Sequence, residues 1–190
     1  MISLEKDGGY WIAVIDRPDK ANSLTPEMLE RLCEIAEAAR EAQVLVLTGV
    51  GKVFSAGADL EAARAGLATS PLWERLSGAI ARLPGLTICA LNGTLAGGAM
   101  GMALACDLRI AVQGAKFFYP VMKLGFLPQP SDPVRLAALV GLSRVSSRSR
   151  SRPCSSCAPT SRTRSPACAR RTRAAAAAAA TGWAATPRAR

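Results

Sequence analysis

From Leu83 to Cys106 the chain carries no charged residue. A run of that length is enough to cross a bilayer, which takes about 20 apolar residues. Gly97 and Gly101 even stand in the GxxxG spacing that packs helices in lipid. Against a span, Pro84, Gly85 and the Asn92-Gly93 pair break any continuous helix across it. The run therefore reads as the interior of a globular domain, built from several short elements. Its second half, NGTLAGGAMGMALACD (92–107), has glycine at 93, 97, 98 and 101. Glycine weakens a helix by roughly 1 kcal/mol relative to alanine, so this much bare backbone suggests that something must approach it closely.

Around this run, strand and helix patterns alternate. YWIAVIDR (10–17) reads as a buried strand, QVLVLTG (43–49) and LTICALNG (86–93) as two more, and DLRIAV (107–112) and AKFFYP (115–120) as the last two. Between them, Thr25 as N-cap and Pro26 at the first helical position open a helix to about Glu41. Met28, Leu32, Ile35 and Ala39 share one face of it, with the charged residues mostly outside. Further helices are expected from about Asp59 to Gly66, over 71–83 and over 131–141. Alternation of this kind places the chain in the α/β class.

The formal net charge of +10 is confined to the C-terminal end. Residues 1–144 hold all 14 acids and 14 of the 24 lysines and arginines; residues 145–190 hold the other 10, all arginine. From about Val145 the composition collapses to mainly Ala, Arg, Ser, Thr and Pro, which cannot bury enough apolar surface to offset ordering entropy. Two domains follow: a core over 1–144 and a low-complexity tail over 145–190. The tail reads either as an Arg/Ser interaction segment or, better, as a shifted reading frame of a GC-rich gene. The chain has no histidine, which removes Ser-His-Asp and Cys-His catalysis and the commonest metal ligand. No metal site is expected: Cys154-Ser-Ser-Cys157 lacks a second ligand pair. Cys33, Cys89 and Cys106 read as small core residues. The N-terminus shows no apolar signal region, so a cytoplasmic location is expected.

Two junctions present backbone to a ligand. FSAGADL (54–60) and LAGGAMG (95–101) both lie between a strand and a helix and are built of small residues. Together they can aim two N–H donors at one oxygen, the arrangement that stabilises a carbonyl becoming an enolate or tetrahedral anion. Either loop alone would read as a tight packing turn.

Four blocks, DRPDKANSLTPEML, VLVLTGVGKVFSAGADL, LNGTLAGGAMGMALACDLRIA and KLGFLP…RLAALVGLSR, resemble the enoyl-CoA hydratase/isomerase (crotonase) family in order and spacing over residues 10–144. The resemblance implies a spiral of ββα units, here lacking the C-terminal helical part. It implies acyl-CoA thioester substrates, trimers or hexamers, a role in fatty acid metabolism, and no cofactor beyond the coenzyme A of the substrate. It places the oxyanion amides at Ala58 and Gly98. Lys20, Ala21, Ala56, Asp59, Leu60 and Gly97 would line the substrate path. Asp59 and Asp107 would be caps or pairing partners rather than proton carriers.

The same resemblance exposes departures. Hydratases of the family use two glutamates, at positions that here hold Gly101 and Val121; a third position that carries Asp in some relatives holds Gln129. The remaining polar residues near the pocket segments are Tyr119, Lys123, Gln129, Asp132 and Glu74. Most have a plain structural reading: Lys123 and Glu74 solvated, Asp132 capping the helix that follows, Tyr119 a core ring with its hydroxyl at the surface. Without C-terminal helices, a poorly closed site, exposed apolar surface and weak trimerisation are expected.

Three functions compete. The first is enolate-stabilising chemistry on acyl-CoA thioesters, such as decarboxylation, thioester cleavage or isomerisation by another base, with hydratase turnover expected to be very low or nil. The second is non-catalytic acyl-CoA binding. The third is nucleic-acid or membrane-surface binding through the basic tail, disfavoured by a neutral core without interleaved aromatics.

Overall fold

The computed structural model describes residues 1–142. The tail and its cysteines lie outside the described residues, as do the readings made for them.

The described chain is a succession of ββα units. The first contains β1 (Ile2–Asp7), β2 (Tyr10–Ile15) and α1 (Pro26–Ala38). The second contains β3 (Val44–Gly49), β4 (Val53–Ser55), α2 (Leu60–Arg64) and α3 (Leu72–Ala81). The third contains β5 (Leu86–Leu91), β6 (Thr94–Ala96) and α4 (Met100–Ala105). The fourth contains β7 (Leu108–Ala111), β8 (Phe117–Phe118) and α5 (Asp132–Val140). From the second unit on, the first strand of each pair joins a five-stranded sheet, order β1-β2-β3-β5-β7, and the second joins a three-stranded sheet, order β4-β6-β8. Among the described residues only β1 and β2 pair antiparallel; the other pairs are parallel. This is the expected spiral.

The charge-free run is spent as expected of a domain interior. It supplies β5, β6 and α4, with Cys89, Leu91, Leu95, Met102 and Ala103 all buried. No helix among the described residues is long and apolar enough to cross a membrane. On α1, Met28, Leu32, Ile35 and Ala39 face the core, and the Thr25 hydroxyl accepts the Met28 N–H at 3.3 Å as N-cap. The α-helix closes at Ala38 and a 3-10 turn, Ala39–Glu41, completes the length expected. Cys33, Cys89 and Cys106 are free and buried.

Four details differ from expectation. β2 is not buried on both faces: Trp11, Ala13 and Ile15 point inward while Tyr10 and Ile12 are exposed. β1 escapes sequence detection because only Ile2 and Leu4 of its six residues are partly buried and pack against the core. β4 and β6 are three residues each, too short to show a period. β8 is only Phe117–Phe118, because the chain turns at Pro120 into a 3-10 turn, Val121–Leu124.

The expected apolar exposure is present. Ile110 on edge strand β7 is 61% exposed and Val134 on α5 is 72% exposed, with Leu108, Leu127, Leu139 and Leu142 also open to solvent.

Candidate functional site

Arg17 to Ser23 forms a loop held by one buried side chain. Asn22 has no exposed surface. Its Oδ1 accepts the Arg17 N–H at 2.8 Å, and its Nδ2 donates to the Val50 and Val53 carbonyls at 2.9 and 2.7 Å. Ala21, expected on the substrate path, adopts φ 52° beside it, and its carbonyl accepts the Ala56 N–H at 3.0 Å. The loop is thereby tied to the 55–59 segment. Leu24 continues the link: its N–H donates to Gly57 O at 2.8 Å and its carbonyl accepts the Asp59 N–H at 2.9 Å. In a parallel bridge of this kind the residue between is turned outward. The Ala58 N–H therefore points away from Leu24.

The second loop closes on the first at Gly57. A Cβ on Gly57 would lie 2.9 Å from Ala96 O and 3.3 Å from Gly98 N, and the residue has φ +93°, so only glycine fits. Gly97, with φ +59°, starts the 3-10 turn Gly97–Ala99 that leads into α4. Gly98 is its second residue, where an N–H has no intrahelical acceptor. The buried Trp73 ring covers it: a Cβ on Gly98 would come within 3.1 Å of that ring. Trp73 is held in turn by its indole N–H, which donates to Leu67 O at 2.7 Å.

Lys20, Ala56, Ala58, Asp59 and Leu60 line one cleft of about 760 Å³. Gly97 and Gly98 lie at the Gly57 contact rather than among its lining residues. Asp59 is the N-cap of α2, accepting from the Glu61 and Ala62 N–H groups. Its other oxygen pairs with Arg17 at 2.8 Å, and the hydrogen bond from that guanidinium holds its carboxyl below its ordinary value. Asp107 accepts from the Thr87 N–H and hydroxyl at 2.8 and 2.7 Å, and these bonds lower its pKa likewise. Both acids are thus engaged as a cap and a pairing partner.

The positions that lack acids fall on three elements. Gly101 is buried in the first turn of α4. Val121 opens the turn after Pro120, and Gln129 lies on the approach to α5. The polar residues around them are arranged differently from expectation. Asp132 does not cap α5: Ser131 is the N-cap and no side chain makes a cap bond. Asp132 instead has no exposed surface, and its Oδ2 accepts the Tyr119 hydroxyl. Tyr119 therefore turns its hydroxyl inward, not to the surface, because a buried carboxylate offers a stronger acceptor than solvent competes for. The Gln129 N–H donates to that same hydroxyl at 3.4 Å. Glu74 is half-buried rather than solvated, since it accepts the Ser131 hydroxyl and N–H and so ties α5 to α3. Lys123 is exposed, as expected.

Burial pushes the Asp132 carboxyl up; the Tyr119 bond and Arg135 act in the opposite direction, and Glu74 adds to the rise. Tyr119 is raised by burial and by the same bond. Sequence reasoning missed Arg17, Asn22 and Trp73, whose partners lie far along the chain. No group of three or more His, Cys, Asp or Glu among the described residues is placed to hold a metal.

This arrangement can be set against known proteins. Residues 7–148 match the family model described as enoyl-CoA hydratase/isomerase. The chain belongs to the enoyl-CoA hydratase/isomerase family. It is 32% identical over 151 residues to the probable enoyl-CoA hydratase echA6 of Mycobacterium leprae, covering 76% of this chain and 61% of that protein. It is 34% identical over 154 residues to the short-chain-enoyl-CoA hydratase of Clostridium acetobutylicum, covering 74% and 58%. The crystal structure of an enoyl-CoA hydratase from Mycobacterium avium subsp. paratuberculosis is similar with a TM-score of 0.70 at 30% identity, covering 76% of this chain and 60% of that one. This family member thus matches about three fifths of the length of its relatives.

Proposed function

We propose that this chain binds acyl-CoA thioesters, with the thioester carbonyl oxygen received by the Ala58 and Gly98 amides. The observation that carries the reading is the contact at Gly57, where two small-residue loops from consecutive units meet over a glycine that admits no side chain. One outward-turned N–H and one N–H at the start of a helical turn fit the device that stabilises a developing oxyanion. The neighbouring cleft, with Lys20, Ala56, Asp59 and Leu60 on its wall, is of a size for a cofactor-like ligand. The relatives named as enoyl-CoA hydratases support the substrate class.

The chemistry is enolate stabilisation without two-carboxylate hydration, because Gly101 and Val121 carry no acid. General acid–base assistance is worth ~10²–10⁴-fold. Crotonyl-CoA hydration by the full chain should therefore be slower than an ordinary hydratase by at least about that factor. The experiment is calorimetric titration with butyryl-CoA beside a hydration assay. Binding with little hydration supports the reading. No binding refutes it, and hydration at an ordinary rate refutes the chemistry.

A further inference from the structure

We propose that Asp132 is the proton-transferring carboxylate of this site, brought from α5 into the space that a side chain at residue 101 would take. The proposal rests on the acyl-CoA reading above. A Cβ on Gly101 would lie 2.9 Å from Asp132 Oδ1 and 3.6 Å from its Cγ. Gly98, in the 3-10 turn, and Gly101, in the first turn of α4, are three residues apart on consecutive helical turns. The Asp132 carboxylate, packed against Gly101, is therefore about one helical turn along the chain from Gly98, whose amide the reading above assigns to the thioester oxygen.

The two carboxylate oxygens have different surroundings. Oδ2 accepts the Tyr119 hydroxyl. Oδ1 is buried and has no hydrogen-bond partner among the described residues. Leaving a buried acceptor unused is destabilising by about 1–3 kcal/mol, and each such group in a native fold calls for a reason. An oxygen kept free for a proton is one.

The carboxylate is also held in place. The Asp132 N–H donates to Gln129 O at 3.1 Å, and Glu74 grips Ser131 beside it. The charged and titratable groups that face Asp132 are Tyr119 from the segment before Pro120, Glu74 from α3 and Arg135 on its own helix. α4 contributes none, since Met100–Ala105 has no ionisable side chain. Burial raises the carboxyl above its ordinary value, the direction useful to a general base. Asp132 is fully covered, so α5 must yield to admit the acyl chain. Its outer face is open, with Val134 72% and Leu139 46% exposed, and a helix packed on one side only is among the easier elements to displace.

The step is a proton transfer. Oδ1 takes a proton from the carbon next to the thioester carbonyl. The C–H electron pair becomes the C=C bond of the enolate, and the carbonyl π pair moves to the oxygen between the Ala58 and Gly98 amides. Return of the proton, to the same carbon or to the far end of a conjugated chain, restores the carboxylate. No oxidant, metal or second acid is needed.

The test is deuterium wash-in at C2 of but-3-enoyl-CoA in D₂O across a range of pD, using the full chain, Asp132→Asn and Tyr119→Phe. Butyryl-CoA titration runs in parallel. Expected are exchange by the unsubstituted chain, a loss of ~10²–10⁴-fold in Asp132→Asn with affinity kept within a few-fold, and a pD midpoint moved upward in Tyr119→Phe. The upward direction follows because the phenol bond favours the ionised carboxylate. Exchange retained in Asp132→Asn overturns the proposal, as does butyryl-CoA binding without exchange by the unsubstituted chain. Should Asp132→Asn fail to fold, an unmoved midpoint in Tyr119→Phe overturns it. A chain that binds no butyryl-CoA fails at the earlier reading, and this one falls with it.

Discussion

Asp132 Oδ1 lies 2.9 Å from the point where a Cβ on Gly101 would be. The two residues therefore compete for one volume. Gly101→Ala gains about 1 kcal/mol of helix propensity but forces a tethered carboxylate to move, an overpacking that is destabilising by about 1–3 kcal/mol. Net destabilisation is expected in urea denaturation. In an Asp132→Ala background the same change should become stabilising. A sign that does not reverse would separate the two residues.

The pH dependence follows from the raised Asp132 carboxyl. Its folded pKa lies above the unfolded value of about 3.9. Its contribution is thus intact below the unfolded value and is lost as pH rises through the folded one. Asp132→Asn should gain stability relative to the unsubstituted chain as pH rises above about 4. Urea midpoints of the two proteins at several pH values check this; a constant difference would contradict it.

Asp59 behaves in the opposite sense. The Arg17 bond lowers its carboxyl, so the stability it brings is present above the ordinary carboxylate range and lost as pH falls. Arg17→Met should lower the denaturation midpoint at pH 7 and less so near pH 3. The pair is partly exposed, and added salt should shrink the effect.

Gly57 is the contact on which the two amides depend. Gly57→Val places a branched side chain at φ +93° against Ala96 O, a strain of about 1–3 kcal/mol. The loops should separate, with deuterium exchange falling ~10²-fold, as when one oxyanion donor is lost. Circular dichroism would verify that the fold survives.

The Thr25 cap sits at the wall of the same cleft and starts α1. Thr25→Ala removes the acceptor of the Met28 N–H and should lower stability by about 1 kcal/mol, read as a lower urea midpoint.

Elements that depend on local pattern were legible in the sequence. The α1 stripe, the Thr25-Pro26 start and the charge-free run all came from neighbours in the chain, and their burial followed. So did Asp59 as a cap, since the N–H groups it accepts from lie two and three residues away. Two small-residue junctions were also visible, but either alone reads as a tight packing turn, and their meeting at Gly57 is a tertiary fact. What the tertiary structure alone decided is which side chains share a volume. Asp132 reads as a helix cap from its position before Pro133, yet the packing of α5 onto α4 carries it to Gly101, thirty-one residues earlier. Tyr119 turns inward because that packing buries an acceptor for its hydroxyl. Arg17, Asn22 and Trp73 act on partners that only chain reversal brings near. Periodicity determines which face of an element is buried; the contents of the space between two elements depend on how they dock, and the missing acid at 101 could be read in sequence only as a gap.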